Sequence, residues 1–486
     1  MALNSLAKLT SINAVTSILG VLYSILQVRY FGASREIEIY FIAQNLLYVT
    51  VSLSQTGHLA EIFLPEFLRL EKLSKNQGFK ALSVIFNRFL LYAIVGLVLI
   101  FILAPYLAEL MAPGYSLEDK ALISSIFRLL VPLLLIQIIV SFFRVVLNAK
   151  SKYGTPEFIV TITVVINIMS LIFFYETLGL WALVYAMIAG RLFEFVFYIL
   201  QMHKLGYRHH FLWSVDDFDH RNFFQALKST IMYVISTAIF NFTLTASASF
   251  LPEGIYAIFK YVQSLASKVF SLVIMPFITI FFTEYSKNMD NNQLVDNYAR
   301  ALISINVCMV MGVVVFGHAL LDLLWGGQKF DTLSVDLAYL FLITNIIAIF
   351  ITSVGNIYRK MAVALGYGKM LYNVWSISQI MSACFAILLI STFKIYGLMS
   401  IISINFILLG FASAFVFYQS GKKWTMFISR ADTLILGISL TIAIYLRWLL
   451  GIDAEFVFNS KNWFFLVSSV VIFGAYPIVT IVRAMR

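Results

Sequence analysis

The residues best placed to do chemistry lie in one apolar stretch, 254–284. Lys260, Gln263, Ser264, Ser267, Lys268 and Ser271 recur there at three- and four-residue spacing. A helix carries such positions on one face. Ionisable groups at membrane depth are costly and face a water-filled cavity or a partner. Lys260 and Lys268 are eight positions apart, ~12 Å along a helix axis at 1.5 Å per residue. Two cations so spaced can bind two parts of an extended anion. The competing reading is that Lys260 snorkels outward to the interface. It suits the deeper Lys268 less well.

Other polar groups sit in neighbouring apolar stretches. The stretch 38–64 carries Gln44, Asn45, Ser52, Ser54, Gln55, Thr56, His58 and Glu61. His58 and Glu61 are i,i+3 and could couple transport to protons; an inner-end pair satisfied by neighbouring helices is the blander reading. The stretch 226–250 carries Asn241 among many serines and threonines, which serve helix packing as readily as cavity lining. Arg191 and Glu194, also i,i+3, should pair with each other. The run Asp216-Asp217-Phe218-Asp219-His220 could hold a divalent ion, but short acidic loop runs are ordinarily solvated. No metal ion or cofactor is expected. The chain has no Walker loop, G-x-S-x-G, H-E-x-x-H or paired C-x-x-C, so it lacks the signatures for ATP-driven or enzymatic chemistry.

Composition dictates the elements that must position these groups. Hydrophobic residues make up 61% of 486 positions and charged residues 12%, against roughly 45–50% and 25% in soluble domains. The excess falls in blocks of about 20 residues, each able to cross a ~30 Å hydrocarbon core as a helix. Roughly fourteen such blocks are legible, near 11–31, 38–64, 86–112, 121–148, 157–176, 178–202, 226–250, 254–284, 301–324, 335–358, 370–392, 396–418, 431–450 and 463–483. Backbone in lipid must satisfy its own hydrogen bonds, so the spans are helical. Continuous apolar runs, without alternation, exclude a closed barrel. The first span lacks the compact apolar core of a cleaved signal. Cys308 and Cys384 both fall within spans, so no disulfide framework is expected.

The net charge of +10 does not imply nucleic acid, because its placement alternates. Lys72, Lys75, Lys80, Lys150, Lys152, Lys204, Arg208, Lys422, Lys423 and Arg483 fall in one set of loops. The opposite set carries fewer, with Arg35, Lys120, Lys329 and Lys394 as exceptions, and holds Glu118, Asp119, Glu176, Glu253, Asp331, Asp453 and Glu455. The positive-inside rule makes the first set cytoplasmic, with both termini inside. The expected location is the bacterial cytoplasmic (inner) membrane.

The chain also echoes itself. Ile39-Tyr40-Phe41-Ile42 matches Ile255-Tyr256-Ala257-Ile258, Tyr153-Gly154 matches Tyr367-Gly368, Gly179-Leu180 matches Gly397-Leu398, and Phe195-Val196-Phe197-Tyr198 matches Phe415-Val416-Phe417-Tyr418. The order and near-constant offset indicate a duplicated six-helix unit. The expected organisation is a lobe over 1–210, a cytoplasmic linker over 211–225, a second lobe over 226–420 and two additional helices over 421–486. An even number of spans per copy relates the lobes by a pseudo-twofold axis along the membrane normal. In such transporters a cleft between the halves holds the substrate. The polar stripe of 38–64 would then face that of 254–284.

At this point short motifs resemble a family. Arg29-Tyr30-Phe31-Gly32-Ala33 is similar to the R-x-F-G-A signature of the MviN/MurJ lipid II flippases, in the multidrug/oligosaccharidyl-lipid/polysaccharide (MOP) exporter superfamily. Phe63-Leu64-Pro65, Met111-Ala112-Pro113-Gly114, Leu147-Asn148-Ala149 with Pro156, and Tyr285-Ser286-Lys287 fit in order, over about residues 1–420. The resemblance implies fourteen helices, two lobes, a central cleft, and an anionic polyprenyl-pyrophosphate-linked saccharide as substrate. In that family arginines of helices 1, 2 and 8 line the cleft. Here Ser17, Tyr23 and Val51 occupy arginine positions of helices 1 and 2, Arg29 is retained, and Glu38 stands where the family has an aspartate. The helix 8 arginine falls near Ser264, between the two lysines.

The expected function is therefore a flippase for an anionic polyprenyl-linked saccharide, lipid II or a related lipid-linked oligosaccharide, working by alternating access. Lys260, Lys268, Gln263, Ser264, Arg29, Asn45, Gln55 and Asn241 are the cleft candidates. His58, Glu61 and Glu38 are the coupling candidates, with Na+, H+ or membrane potential as the drive. Partners would be the lipid bilayer and cell-wall or polysaccharide assembly enzymes. A drug/cation antiporter of the same superfamily is the alternative, and it would want a buried carboxylate. A membrane-embedded glycosyltransferase or polymerase is the alternative of another class, disfavoured by the short outer loops.

Overall fold

The computed structural model describes residues 2–421 other than 53–62, 64–66, 73, 75, 151, 153, 216, 217, 219, 288, 290 and 291. The fold is all-α; among the described residues the sole β-type pairing is an isolated bridge between Gly327 and Phe330. Ten helices among the described residues are long and apolar enough to cross a membrane, and Met232–Ala248 adds a shorter apolar segment. The spans expected at 431–450 and 463–483 lie outside the described residues.

The chain forms two compact units. The first, Met1–Tyr30 with Ser34–Pro252, contains α1 (Ala2–Phe31, all but its last residue), α2 (Arg35–Ser52), α3 (Gln77–Met111), α4 (Leu117–Leu130), α5 (Pro132–Ala149), α6 (Gly154–Leu178), α7 (Leu180–Lys204) and α8 (His220–Ala248). The span expected at 121–148 is broken into α4 and α5. Pro132 has no N–H to offer the carbonyl four residues back, so the helix restarts there with proline in its first turn. Ser116 caps α4, its hydroxyl accepting from Asp119 N at 3.1 Å, with Glu118 and Asp119 in the first turn complementing the helix dipole. Towards the ends of α3, α5 and α7 the core is aromatic. Phe63, Phe67, Phe79, Phe86, Phe142, Phe143 and Tyr207 interlock there, largely edge to face, as ring quadrupoles favour.

The second unit, Phe31–Ala33 with Glu253–Arg486, contains α9 (Ile255–Val269), a π-helical segment (Phe270–Ile274), α10 (Met275–Lys287), α11 (Asn292–Trp325), α12 (Thr332–Ala364), α13 (Gly368–Phe393) and α14 (Ile395–Gln419). Trp375 on α13 donates its indole N–H to Ser413 Oγ on α14 at 3.0 Å, satisfying a donor that lipid could not.

The internal echo has a backbone counterpart. Gly179, before α7, has φ 53° and ψ −127°; Lys394, before α14, has φ 52° and ψ −120°. Each opens a 25-residue helix. Each of those helices closes on a left-handed glycine, Gly206 and Gly421. The equivalent of Gly179 is thus Lys394. The sequence echo with Gly397 is offset by three residues from the structural one.

Candidate functional site

The polar face of α9 follows from its sequence. Ile258, Tyr261, Val262 and Ala266 are buried, whereas Lys260, Gln263, Ser264 and Lys268 are half-buried. The apolar side packs on α12, where Phe259 meets Phe341 edge to face at 5.7 Å. The polar side is stitched along its own length. Lys260 Nζ donates to Gln263 Oε1 at 3.3 Å and lies 5.4 Å from the Tyr256 ring centroid. Lys268 Nζ donates to Ser264 Oγ at 3.1 Å. Four of the six residues that the spacing singled out form two short side-chain pairs, their cations about two helical turns apart and each with a neutral oxygen beside it.

Directly after Lys268 the helix widens. Phe270–Ile274 is π-helical, with Met275 N–H reaching back to Phe270 O. Such single-turn bulges recur at functional sites. The sequence signal was available in Pro276, which cannot donate to the residue four before it; the bulge nevertheless went unread, since apolar periodicity passes through it unchanged.

The Arg29–Ala33 motif makes the sharp exit from α1. Gly32 has φ +62°, and a Cβ there would lie 2.0 Å from Lys329 O. Only glycine tolerates both demands. Tyr261 on α9 donates its hydroxyl to Gly32 O at 3.2 Å, so the motif is bonded to the helix that carries the lysines. Arg29, in the last turn of α1, is exposed.

Within the first unit, Asn45 Nδ2 donates to Thr245 Oγ1 at 2.7 Å, joining α2 to α8. Asn241 donates to Thr237 O in its own helix at 3.0 Å, and its carbonyl accepts from Thr245 Oγ1 at 2.8 Å. Glu38 is 1% exposed. Its Oε2 accepts from Arg35 NH1 and from the Tyr115 hydroxyl, both at 2.8 Å. Gln55, His58 and Glu61 lie outside the described residues, as do Asp216, Asp217 and Asp219. Among the described residues no cluster of three metal-ligating side chains occurs.

One polar cavity of the first unit was not anticipated. About 220 Å³ in volume, it is lined by Tyr23, Tyr40, Gln44, Asn167, Arg191 and Glu194 among others. The expected Arg191–Glu194 pair closes one side at 2.6 Å. Asn167 Oδ1 is buried without a partner among the described residues. Val160, Thr163, Val164 and Asn167 all line it. They share i, i+3, i+4, i+7 spacing, one face of α6.

With this geometry in view, the comparisons decide the family. The profile described as "Lipid II flippase MurJ" matches residues 27–470. The chain belongs to the MurJ family. Among solved structures, a lipid II flippase MurJ in an inward closed conformation matches with TM-score 0.79 at 17% identity, covering 97% of each chain. An inward-facing multidrug resistance MATE family transporter of the MOP superfamily matches with TM-score 0.64 at 14% identity, covering 84% of this chain and 94% of that one. A MOP superfamily transporter from Pyrococcus furiosus matches with TM-score 0.61 at 13% identity, covering 86% and 96%. A search of curated protein sequences finds no match. Membership of a flippase family, with ten membrane-length apolar helices among its described residues, makes the protein a multi-pass membrane protein of a transporter family.

Proposed function

We propose that this MurJ family member flips an anionic polyprenyl-pyrophosphate-linked saccharide, lipid II or a closely related lipid-linked oligosaccharide, from the cytoplasmic to the outer leaflet. The observation that carries the proposal is the paired amino groups on the polar face of α9. Each supplies a cation with a neighbouring oxygen at a membrane depth where an unused charge would be costly. A pyrophosphate accepts charge-assisted bonds from such groups. The thinning of family arginines at Ser17, Tyr23 and Val51 weakens the case for lipid II itself and strengthens that for a related glycolipid.

In this reading both termini are cytoplasmic, the membrane is the bacterial inner membrane, and two lobes rock around a headgroup held in the cleft. Outward movement of negative charge across an inside-negative membrane releases ~2.3 kcal/mol per charge per 100 mV, so the potential helps drive export; Na+ or H+ coupling through His58 and Glu61 is the additional drive. The antiporter reading is weaker. It needs an available buried carboxylate, and the two buried carboxylates among the described residues, Glu38 and Glu194, are each held by an arginine.

The test is a reconstituted assay. Labelled lipid II is loaded on one leaflet of vesicles holding the protein, and headgroup accessibility is followed with and without an imposed potential. Transfer above protein-free vesicles, accelerated by an inside-negative potential, is expected. Transfer at the protein-free rate for lipid II and for a shorter polyprenyl-pyrophosphate saccharide would overturn the proposal.

A further inference from the structure

A second, separate lipid feature lies in the first unit. Between α3, α5 and α7 runs a groove of about 500 Å³. Its walls are aliphatic, with Leu90, Leu135 and Ile199 contributed by the three helices. Its floor is rigid, because Phe86, Phe143 and Tyr207 meet one another at 5.4 to 6.5 Å. From Phe195 to His203 on α7 it runs ~12 Å. That is close to the half-thickness of a ~30 Å hydrocarbon core.

One end is polar and basic. His203, Arg208 and His209 line it, and Lys204 is exposed beside them. The loop bearing Arg208 is strapped onto the start of α3. Asn87 Nδ2 donates to His210 O and Leu212 O at 3.0 and 2.9 Å. Arg88 donates through two nitrogens to Trp213 O. The same strap holds out Phe211 and Trp213, 86% and 57% exposed, as aromatic anchors of a membrane interface do.

We infer that this groove is a binding site for an anionic phospholipid of the leaflet on the α7 C-terminal side, its phosphate at Arg208 and Lys204 and one acyl chain along Leu90 and Ile199. An ordinary lipid-facing helix surface is convex and accepts any chain. This one is concave, closed below by packed rings, and cationic at one end only. Charge complementarity selects the occupant, as basic pockets between membrane helices select acidic headgroups. On the sidedness proposed above, the site opens to the cytoplasmic leaflet. It shares no residue with the α9 site and goes beyond the transport reading.

Native mass spectrometry of the full-length protein tests it, with phosphatidylglycerol and phosphatidylcholine of identical chains as probes. Phosphatidylglycerol should bind more tightly by about five-fold per cation, the equivalent of ~1 kcal/mol each. Arg208→Gln with Lys204→Gln should bring the two lipids to parity. Ile199→Trp, which fills the groove, should weaken both, whereas Val95→Trp, exposed on the side of α3 away from Leu90 and Phe86, should weaken neither. Equal binding of the two lipids by the wild type overturns the inference, as does an Ile199→Trp protein that binds like the Val95→Trp control. Stoichiometric displacement of phosphatidylglycerol by polyprenyl phosphate overturns it too, because the groove would then belong to the substrate chain.

Discussion

The Tyr115 hydroxyl donates to Glu38 Oε2 at 2.8 Å, while the Arg35 guanidinium lies over the Tyr115 ring at 3.9 Å and bonds the same carboxylate oxygen. In this set a buried charge is paired and hydrogen-bonded, the condition for its tolerable burial. Burial, reinforced by the adjacent carboxylate, pushes the Tyr115 phenol far above its ordinary range, so it remains a donor at every accessible pH. Coupling an ion through Glu38 Oε2 would compete with both of these bonds. Tyr115→Phe keeps the ring under Arg35 and deletes the donor. A hydrogen bond to a charged group contributes ~1.5–3 kcal/mol, and a loss of that size should appear as a lower unfolding midpoint in detergent. Tyr115→Leu also removes the cation–π contact and should fall further. A Tyr115→Phe protein as stable as the wild type would show that water replaces the hydroxyl.

The turn after α1 makes a separate prediction. Gly32→Ala must hold a left-handed backbone, costing of order 1–3 kcal/mol, and must also move the Lys329 carbonyl, which a Cβ would approach to 2.0 Å. Gly96→Ala is the matched control, since nothing lies within 4 Å of a Cβ there. Thermal unfolding should separate the two, with Gly32→Ala clearly destabilised and Gly96→Ala unchanged or slightly improved. Equal midpoints would mean that the 31–33 segment relaxes freely.

The strap over α3 should be acid-sensitive. Asn87 gives its amide to two carbonyls, so its Oδ1 faces His209 and accepts from Nε2–H at 2.9 Å. The His209 Nδ1 is then the acceptor for the Tyr207 hydroxyl at 3.0 Å. This network requires a neutral ring, and burial followed by the neighbouring His210 holds the His209 pKa below its ordinary value of 6.5. The unfolded loop therefore binds the proton more readily. The contribution of His209 is complete above pH ~6.5 and is lost as pH falls through its depressed folded value. Hydrogen exchange of residues 207–213 should accelerate over that window in the wild type and lose this pH dependence in His209→Gln. A flat profile in the wild type would remove His209 from the strap's stability.

The topology is testable without function. Single cysteines introduced at Lys80 and Lys422 should be labelled from the cytoplasmic side, and one at Glu118 from the opposite side, if alternating loop charge sets orientation. Lys80 lies in the first turn of the 35-residue α3, and Glu118 lies in the first turn of α4, beyond the other end of α3 at Met111. Most of the length of α3 thus separates them. Labelling of both from one side would refute the proposed orientation.

What the sequence made legible, and what it did not, divides along physical lines. Apolar block length alone gave the membrane helices, because lipid leaves backbone no alternative to self-bonding. Lys260, Gln263, Ser264 and Lys268 were found by spacing, because a 3.6-residue period turns sequence distance into a shared face. Arg191 and Glu194 were paired for the same reason, and the structure joins them. The break at Val131–Pro132 was missed because the apolar run continues across it. Asn87, the residue on which the strap depends, was invisible because its partners lie more than 120 residues away and are mostly backbone carbonyls. Arg35–Glu38–Tyr115 was half legible: the i,i+3 pair is local, whereas the tyrosine arrives from 77 residues away.

The transport proposal finally rests on Lys260 and Lys268. Charge-assisted contacts to a phosphate typically contribute ~1.5–3 kcal/mol each. Lys268→Ala should therefore slow flipping of an anionic glycolipid by roughly one to two decades, with insertion and folding retained, which matched expression and an unchanged unfolding midpoint would verify. Lys268→Arg should keep more activity, because phosphate accepts either cation although the fork geometry differs. Ser264→Ala, which removes only the neutral oxygen beside Lys268, should cost less than Lys268→Ala. The double variant Lys260→Ala/Lys268→Ala should be slower than either single one. The measurement is headgroup accessibility of labelled lipid-linked saccharide in vesicles with matched protein content. If the double variant flips at the wild-type rate, the lysines serve the helix and not the substrate, and the anionic reading of α9 fails.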